Sequence, residues 1–348
     1  MPTQIFSLTT FNLYNLNEPD LPLYKRSKPW TEDEYALKMG FIARQLREMK
    51  ADIFAFQELW HAKSLENAFA TAKMAEDYDL LVPDGHAGDR IVCAAAVRKG
   101  LLVGAPTWID RFPEDFNLSS KGEDRQTPQI AVKVDRFSRP VLHLNVKPVA
   151  KAPEIHIYVC HFKSKGPTEI FREPWYEKDK HSKHAEAVGS ALSTIRRTAE
   201  ATALKMIVTN RIKASDIPAI VVGDVNDGDL SNTINILTGQ PRYLMGLSLG
   251  GGDADLYTAQ TLQQYRSTRD VYYTHIFQNI RESLDQILVS QEFYDNSRKR
   301  LWAFDGMDIA NDHLNTEDHR ADGSNDHGIV RARFRYAPAP KVSGADPA

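Results

Sequence analysis

Val221-Val222-Gly223-Asp224-Val225-Asn226-Asp227 is the stretch that decides how this chain reads. Ile220 to Val222 are β-branched and follow Pro218, which predicts a short buried strand. Gly223 is expected to permit a sharp turn, with Asp224 and Asn226 emerging at the strand end. Side chains at i and i+2 of an extended segment share a face, so a carboxylate and a carboxamide would point at one spot. An ordinary turn has the same composition. What separates the two readings is that polar strand ends of this kind recur along the chain.

On the N-terminal side, Ile155 to Cys160 reads as a strand ending in His161-Phe162-Lys163-Ser164-Lys165-Gly166. A helical region follows over about Lys180 to Lys213, with Leu192, Ile195, Ala199, Met206 and Ile207 as its apolar side. On the C-terminal side come a helix at Ser231 to Thr238, a Gly250-Gly251-Gly252-Asp253 loop and a strand at Ser283 to Ser290 carrying Asp285. Asp326-His327 immediately precedes a last alternating strand, Gly328 to Phe334.

Further out, Ile5 to Phe11 predicts a strand followed by Asn12. Thr31 and Glu34 form a capping box ahead of an amphipathic helix bearing Tyr35, Met39, Ile42, Leu46 and Met49. Ala51 to Phe56 is a strand ending in Gln57-Glu58, and Ser64 to Ala75 reads as helical. A loop runs through His86 to Arg90, before strands at Ile91 to Val97 and from Leu101 to Val103. Pro106 to Gln126 reads as a charged loop, and Ile130 to Val134 and Val141 to Val146 as strands. The mixture of βα alternation and strand pairs predicts one α/β domain over 1–335, with mixed sheets covered by helices. The tail, 336–348, is rich in Pro and Ala and is expected to be disordered.

Composition narrows the function. The 348 residues are 42% apolar and 26% charged, as in a water-soluble globule able to bury a large core. A formal net charge of −3 provides no global field for nucleic acid, so any attraction to phosphate has to be local. Cys93 and Cys160 sit in apolar strand-like runs and read as buried thiols, not a disulfide. No membrane span and no signal peptide are legible, which makes the cytoplasm the expected compartment unless a leader was removed.

The polar strand ends Asn12, Glu58, His161, Asp224, Asn226, Asp326 and His327, with Asp285 beside them, would sit on one rim of a sheet. Carboxylates gathered there repel unless they share a cation, and oxygen donors select a hard divalent ion. Mg²⁺ suits a site completed by a phosphate substrate, with Mn²⁺ as the alternative. A separate structural Ca²⁺ at Asp253-Ala254-Asp255 stays open, as does a second metal near Asp312-His313 and Asp318-His319. His181 and His184 read as a wet helix face.

The text Thr10-Phe11-Asn12, Phe56-Gln57-Glu58, Cys160-His161-Phe162-Lys163-Ser164, Gly223-Asp224-Val225-Asn226, Leu284 to Ser290 and Asn325-Asp326-His327 resembles the endonuclease/exonuclease/phosphatase superfamily, the deoxyribonuclease-I-like fold. The order matches over about residues 5 to 334, and the HFKSKG text looks most like bacterial DNA-degrading nucleases. The resemblance implies a four-layer α/β sandwich of two mixed sheets face to face. It implies Glu58 as principal metal ligand, supported by Asn12 and Asp326. Asp224 would orient or deprotonate the attacking water, with Asn226 fixing its direction. His327, held by Asp285, and His161 would contact phosphate. Arg90, Arg125, Lys163 and Lys165 are the candidate substrate-binding cations.

Three departures stand out. Gly328 follows Asp326-His327 directly where the family often has a short residue and Pro; Gln286 stands where an aromatic residue or His is common. Asp89 is the nearest carboxylate where a Glu would support the first histidine. The activity implied is a Mg²⁺-dependent phosphodiesterase on DNA, with RNA as a second candidate polymer. The alternative is a phosphatase or lipid phosphodiesterase of the inositol-phosphate or sphingomyelin kind. Against a lipid substrate, no exposed hydrophobic hairpin is evident in the sequence. A non-catalytic binding module is the third reading.

Overall fold

The computed structural model describes residues 5–340 apart from 25–26, 123–125, 240–251, 265, 268–272 and 317. In chain order the strands begin with β1 (Ile5–Leu16), β2 (Ile53–His61), β3 (Tyr78–Leu81), β4 (Ala87–Arg98) and β5 (Leu102–Arg111). There follow β6 (Leu118–Ser120), β7 (Ile130–Val132), β8 (Arg136–Val146), β9 (Ile155–His161) and β10 (Ala219–Asp224). The last are β11 (Tyr257–Thr258), β12 (His275–Phe277), β13 (Ile280–Glu282), β14 (Asp285–Val289), β15 (Trp302–Ala310) and β16 (Ile329–Tyr336). Helices are α1 (Glu32–Met49), α2 (Ala62–Ala72), α3 (Lys178–His181), α4 (Ala185–Ile212), α5 (Asn232–Thr238), α6 (Ala259–Gln264) and α7 (His319–Asp322).

Two mixed sheets of six described strands each are built from these, in the orders β15-β16-β1-β2-β4-β3 and β11-β14-β10-β9-β8-β5. β1 and β2 run parallel, as do β9 and β10, while the other pairs of each sheet are antiparallel. The period of two along each strand sets the layers. In β10, Ile220 and Val222 point into a core shared with Leu8 and Ile53 of the first sheet. Ala219 and Val221 point the other way, onto Leu204 and Val208 of α4. On the far side, Phe54 and Phe56 meet Ile42 and Leu46 of α1. Helices, sheet, sheet and helices therefore stack in four layers, the expected sandwich. Leu204→Ala would remove about 2–5 kcal/mol from this packing.

Several local expectations are met in detail. α1 starts at the Thr31/Glu34 capping box, with both reciprocal hydrogen bonds formed, and Thr31→Ala would cost it about 1 kcal/mol. Cys93 and Cys160 are separate buried thiols. No described helix is long and apolar enough to cross a membrane.

Other expectations are corrected. Gly223 makes no turn; it lies inside β10 at φ +139°, where a Cβ would stand 2.0 Å from the Cys160 carbonyl oxygen. The glycine is there because β9 passes too close for a side chain. α4 turns the opposite face inward at its N-terminal half: Leu192 and Ile195 are exposed, while Gly189, Ser193, Arg197 and Glu200 are buried. β5 runs on to Arg111 through text expected to be a loop. β15 escapes the sequence reading because a bulge at Phe304/Gly306 breaks its alternation. The tail is fastened at its start, Ala337 and Ala339 donating to the carbonyls of Leu301 and Arg300 at 2.9 and 2.7 Å; 341–348 lie outside the described residues. Finally, β12 and β13 form a hairpin whose Phe277 and Ile280 are 61% and 60% exposed, so an apolar hairpin absent from the sequence reading does exist.

Candidate active site

Three neighbouring strands of the second sheet place one polar residue each in a row. Asp224 closes β10, pairing in register with His161 at the end of parallel β9 and with Asp285 at the start of antiparallel β14. Asn226 joins Asp224 by a different route from a shared extended face. It sits at φ 55°, which turns its backbone N–H onto Asp224 Oδ1 (2.8 Å) and its Nδ2 onto Asp224 Oδ2 (3.1 Å) and the Phe162 carbonyl (3.1 Å).

The first sheet supplies the facing groups. Asn12, near the end of β1, donates Nδ2 to Asp224 Oδ2 at 3.3 Å and accepts the Tyr14 N–H at 3.0 Å. Tyr14 and Asn15 are left-handed, which brings the Asn15 N–H to Glu58 Oε2 at 2.9 Å. Glu58 itself has φ 61° and falls where the β2–β4 register slips between Phe56 and Leu59. The strand is broken where it presents its carboxylate. Asn325 ties the last segment in, donating to the Asn12 carbonyl at 2.6 Å and accepting from the wholly buried Lys38 at 2.8 Å. Burial lowers the Lys38 pKa to about 7.

The two sheets meet through their side chains. His161 Nε2 lies 3.4 Å from Asp224 Oδ2 and 3.9 Å from Glu58 Oε1. His327 Nδ1 is 2.8 Å from Asp285 Oδ2, and its Nε2 is 4.0 Å from Asp224 Oδ2. Burial alone would lower His327, but Asp285 and Asp224 outweigh it and hold its pKa well above the usual value. His161 is held well below, by burial first and by Arg139 and His327 next. Burial also raises Glu58, with Asp326 adding to it, and raises Asp224 to about 7.

So much buried carboxylate fits a bound cation. Asp326 Oδ1 is buried without a hydrogen-bond partner, an orphan oxygen of the kind a metal ion satisfies. Among the described residues, Asp326 groups with His275 and His327, and Asp224 with Asp285 and His327, ligand atoms within 4.8 Å in each set. The second set offers two carboxylate oxygens and one imidazole, the first one carboxylate and two imidazoles, and Glu58 belongs to neither. In the Asp253-Ala254-Asp255 stretch, Asp253 Oδ2 accepts the Ala214 N–H at 2.8 Å and Oδ1 faces Lys299 at 3.7 Å.

The site opens into a cleft of about 1500 Å³. Arg90, Lys163 and Lys165 line it, while Arg125 lies outside the described residues. Lys165 is not free for phosphate: it pairs with Glu282 at 2.6 Å and Asp227 at 3.6 Å. Lys163 Nζ rests on Ser164 Oγ and the Gly166 carbonyl, both at 3.1 Å. Asp89 sits by His86 (3.6 Å) and Arg90 (4.0 Å), so it is not the partner of His161, whose Nδ1 is buried with none.

Arg139 is the cation the sequence reading missed. It lines the cleft, donates to the Phe162 carbonyl at 3.0 Å, and its charge reaches Glu58 and His161. Behind it, buried Glu200 of α4 accepts the N–H groups of Ser138 (2.7 Å) and Lys163 (2.8 Å), and Arg197 donates to the Lys163 carbonyl (3.2 Å). The polar inner face of α4 thus fixes the strand ends that carry Arg139 and Lys163. An arginine just before Pro140 at a strand start was the available signal.

A model of the Endonuclease/Exonuclease/phosphatase family matches residues 9–324. The chain belongs to that family. Members are hydrolases acting on phosphoester bonds. Among solved structures, the endonuclease/exonuclease/phosphatase from Bacteroides vulgatus is 15% identical, with 96% of this chain and 99% of that one covered and a TM-score of 0.52. The human Nocturnin catalytic domain with bound sulfate is 15% identical over 96% of this chain and 95% of that one, TM-score 0.53. Humanized D. rerio TDP2 is 13% identical over 95% and 99%, TM-score 0.54. At these identities the likeness is one of fold. Comparison with curated proteins finds no match.

Proposed function

We propose that this chain is a Mg²⁺-dependent phosphodiesterase that hydrolyses nucleic acid, a DNA endonuclease in the first instance. The observation that carries the reading is that Glu58, Asp326, the Asp224/Asn226 pair and His327, itself held by Asp285, line one cleft together with Arg139 and Lys163. Because side chains from residue 12 to 327 contribute, residues 1–335 are proposed as one catalytic domain.

Hydrolysis at phosphorus needs a positioned water, donors on the non-bridging oxygens and a fixed phosphate. Asp224 is the group to hold that water and accept its proton, its raised pKa suiting a base near neutrality. Asn226 and Asn12 fix the carboxylate from two sides. His327 keeps its proton through Asp285 and donates from Nε2 to a non-bridging oxygen. His161, unprotonated at neutral pH, contributes a hydrogen bond but no charge. Arg139 and Lys163 hold the phosphate in line. A divalent ion held by Glu58 and Asp326, with Asn12 beside them, would supply Lewis acidity and charge neutralisation when bound.

A lipid phosphodiesterase is the second reading, and the exposed Phe277 and Ile280 favour it where the sequence did not. Incubating the protein with supercoiled plasmid, inositol phosphates and sphingomyelin liposomes in parallel, each with Mg²⁺, Mn²⁺, Ca²⁺ or EDTA, separates the readings. Relaxed and linear plasmid in Mg²⁺ and none in EDTA is expected. Phosphate or phosphocholine release with intact plasmid would overturn the nuclease reading.

A further inference from the structure

The β12–β13 hairpin stands at the rim of the cleft, and it is tied to the reacting groups more firmly than a loop would be. Its two-residue turn, Gln278-Asn279, has φ 48° and 64°, the double left-handed geometry that keeps the strands in register. At its base the Gly328 N–H donates to the Thr274 carbonyl at 2.7 Å. Thr274 Oγ1 accepts the N–H groups of Leu284 and Asp285 at 2.9 and 3.1 Å. His275 and His327 form a β-bridge. The hairpin is therefore fixed to both members of the Asp285–His327 pair.

One face of the hairpin carries His275 and Phe277 on β12 and their partners Glu282 and Ile280 on β13; His275, Phe277 and Glu282 line the cleft. Along that face the rings form a file. His275 lies 5.0 Å from His327, and Phe277 lies 6.5 Å from His275 at an interplanar angle of 19°. Phe277 ends the file with its ring in solvent beside its cross-strand partner Ile280, while Glu282, opposite His275, is neutralised by Lys165 at 2.6 Å. A second aromatic pair, Tyr24 and Trp60, with centroids 5.1 Å apart, also lines the cleft. Arg139 interacts with both Tyr24 and Glu58, which puts a cation next to this pair and to the reacting groups.

We propose that the cleft takes single-stranded nucleic acid, with the base next to the scissile phosphate stacked on Phe277. This rests on the nuclease reading above and gives it a strand form. A phosphate held by His327 leaves the neighbouring nucleotide to run along the file of rings, and every base offers a flat face for stacking. Paired bases are already stacked inside a duplex, so Phe277 meets a base only where the strand is single or opened. Insertion of the hairpin into a bilayer fits less well. Its outermost residues are polar Gln278 and Asn279, and Phe277 faces the cleft.

The test uses the full chain in an Asp224→Asn background with Mg²⁺, so that bound oligonucleotide is not cut. The probe is a single strand of about 12 nucleotides containing 2-aminopurine, whose fluorescence falls on stacking, with the matching duplex as comparison. The parent is expected to quench the single strand and to bind it more tightly than the duplex. Adding Phe277→Ala is expected to abolish the quench and weaken binding about 5- to 100-fold, whereas Phe277→Trp keeps both. Equal quenching and affinity with Phe277→Ala, or equal affinity for duplex and single strand, would overturn the proposal. Phe277→Ala that loses sedimentation with phosphatidylcholine–phosphatidylglycerol vesicles, yet binds the single strand normally, would overturn it and assign the hairpin to a lipid surface. Failure of the active enzyme to cut any nucleic acid would instead sink the reading beneath it, which keeps the two failures distinct.

Discussion

His161 and His327 occupy two corners of one site, both buried and both facing Asp224 Oδ2, at 3.4 and 4.0 Å. They differ in what lies behind the ring. His327 rests its Nδ1 on Asp285 at 2.8 Å; the Nδ1 of His161 has no partner. The carboxylate outweighs burial at one corner, and burial prevails at the other, so their pKa values move in opposite directions. The lesson is that the residue type does not assign the role; the group behind the ring does. On the proposed reading a charged and a neutral imidazole stand side by side because only His327 has a carboxylate on its Nδ1.

Mutation should break this pair unequally. His327→Ala is expected to lower kcat for plasmid cleavage by about 10³-fold, and Asp285→Asn by about 10²-fold, since it spares the ring but removes the charge behind it. His161→Ala should lower it less, by about 10-fold to 10²-fold. Steady-state rates for the three variants decide the order, and a larger loss at His161 would reverse the assignment.

Nitrogen-15 spectra of the imidazoles sharpen the comparison without mutation. In metal-free protein at about pH 7.5, His327 should show both nitrogens protonated and His161 only one. Two neutral rings would mean that Asp285 does not set the difference.

A second histidine pair isolates the effect of burial. His143 Nε2 and His156 Nδ1 are 3.0 Å apart on β8 and β9, away from the cleft. Burial, followed by His143, lowers His156 to about 4 from 6.5. The unfolded chain takes up that proton first, so this contribution to stability is complete above the unfolded value and lost as pH falls from about 6.5 through 4. It amounts to about 3 kcal/mol at most. Urea midpoints at pH 7 and pH 4.5 should therefore diverge less in His156→Gln than in the parent; equal divergence would contradict the burial argument.

How much of this was legible in the sequence follows the same physics. Asp224, Asp285, Glu58 and His161 were readable because each belongs to or ends a short apolar run whose period of two is local. Gly223 reads as a turn because the crowding carbonyl of Cys160 belongs to a strand some sixty residues earlier, invisible to a local reading. Arg139 is hard to read for a similar reason: its place before Pro140 marks a strand start, but nothing near it in the chain says that the Phe162 carbonyl and Glu58 lie across from it. The inner face of α4 misled because its buried residues include Arg197 and Glu200, placed there to grip Lys163 rather than to fill a core. The hairpin went unseen because Gln278-Asn279 lacks the glycine that usually marks such turns.

The central claim is that Glu58 and Asp326 hold a divalent cation beside Asp224 and both imidazoles. Titrating Mn²⁺ into the protein by calorimetry, with Glu58→Gln in parallel, reads it directly. Binding by the parent at micromolar to millimolar concentration, weakened about 10-fold or more in Glu58→Gln, is the expected result. A parent that takes up no ion at millimolar Mn²⁺, or a variant that binds it equally well, would contradict the account.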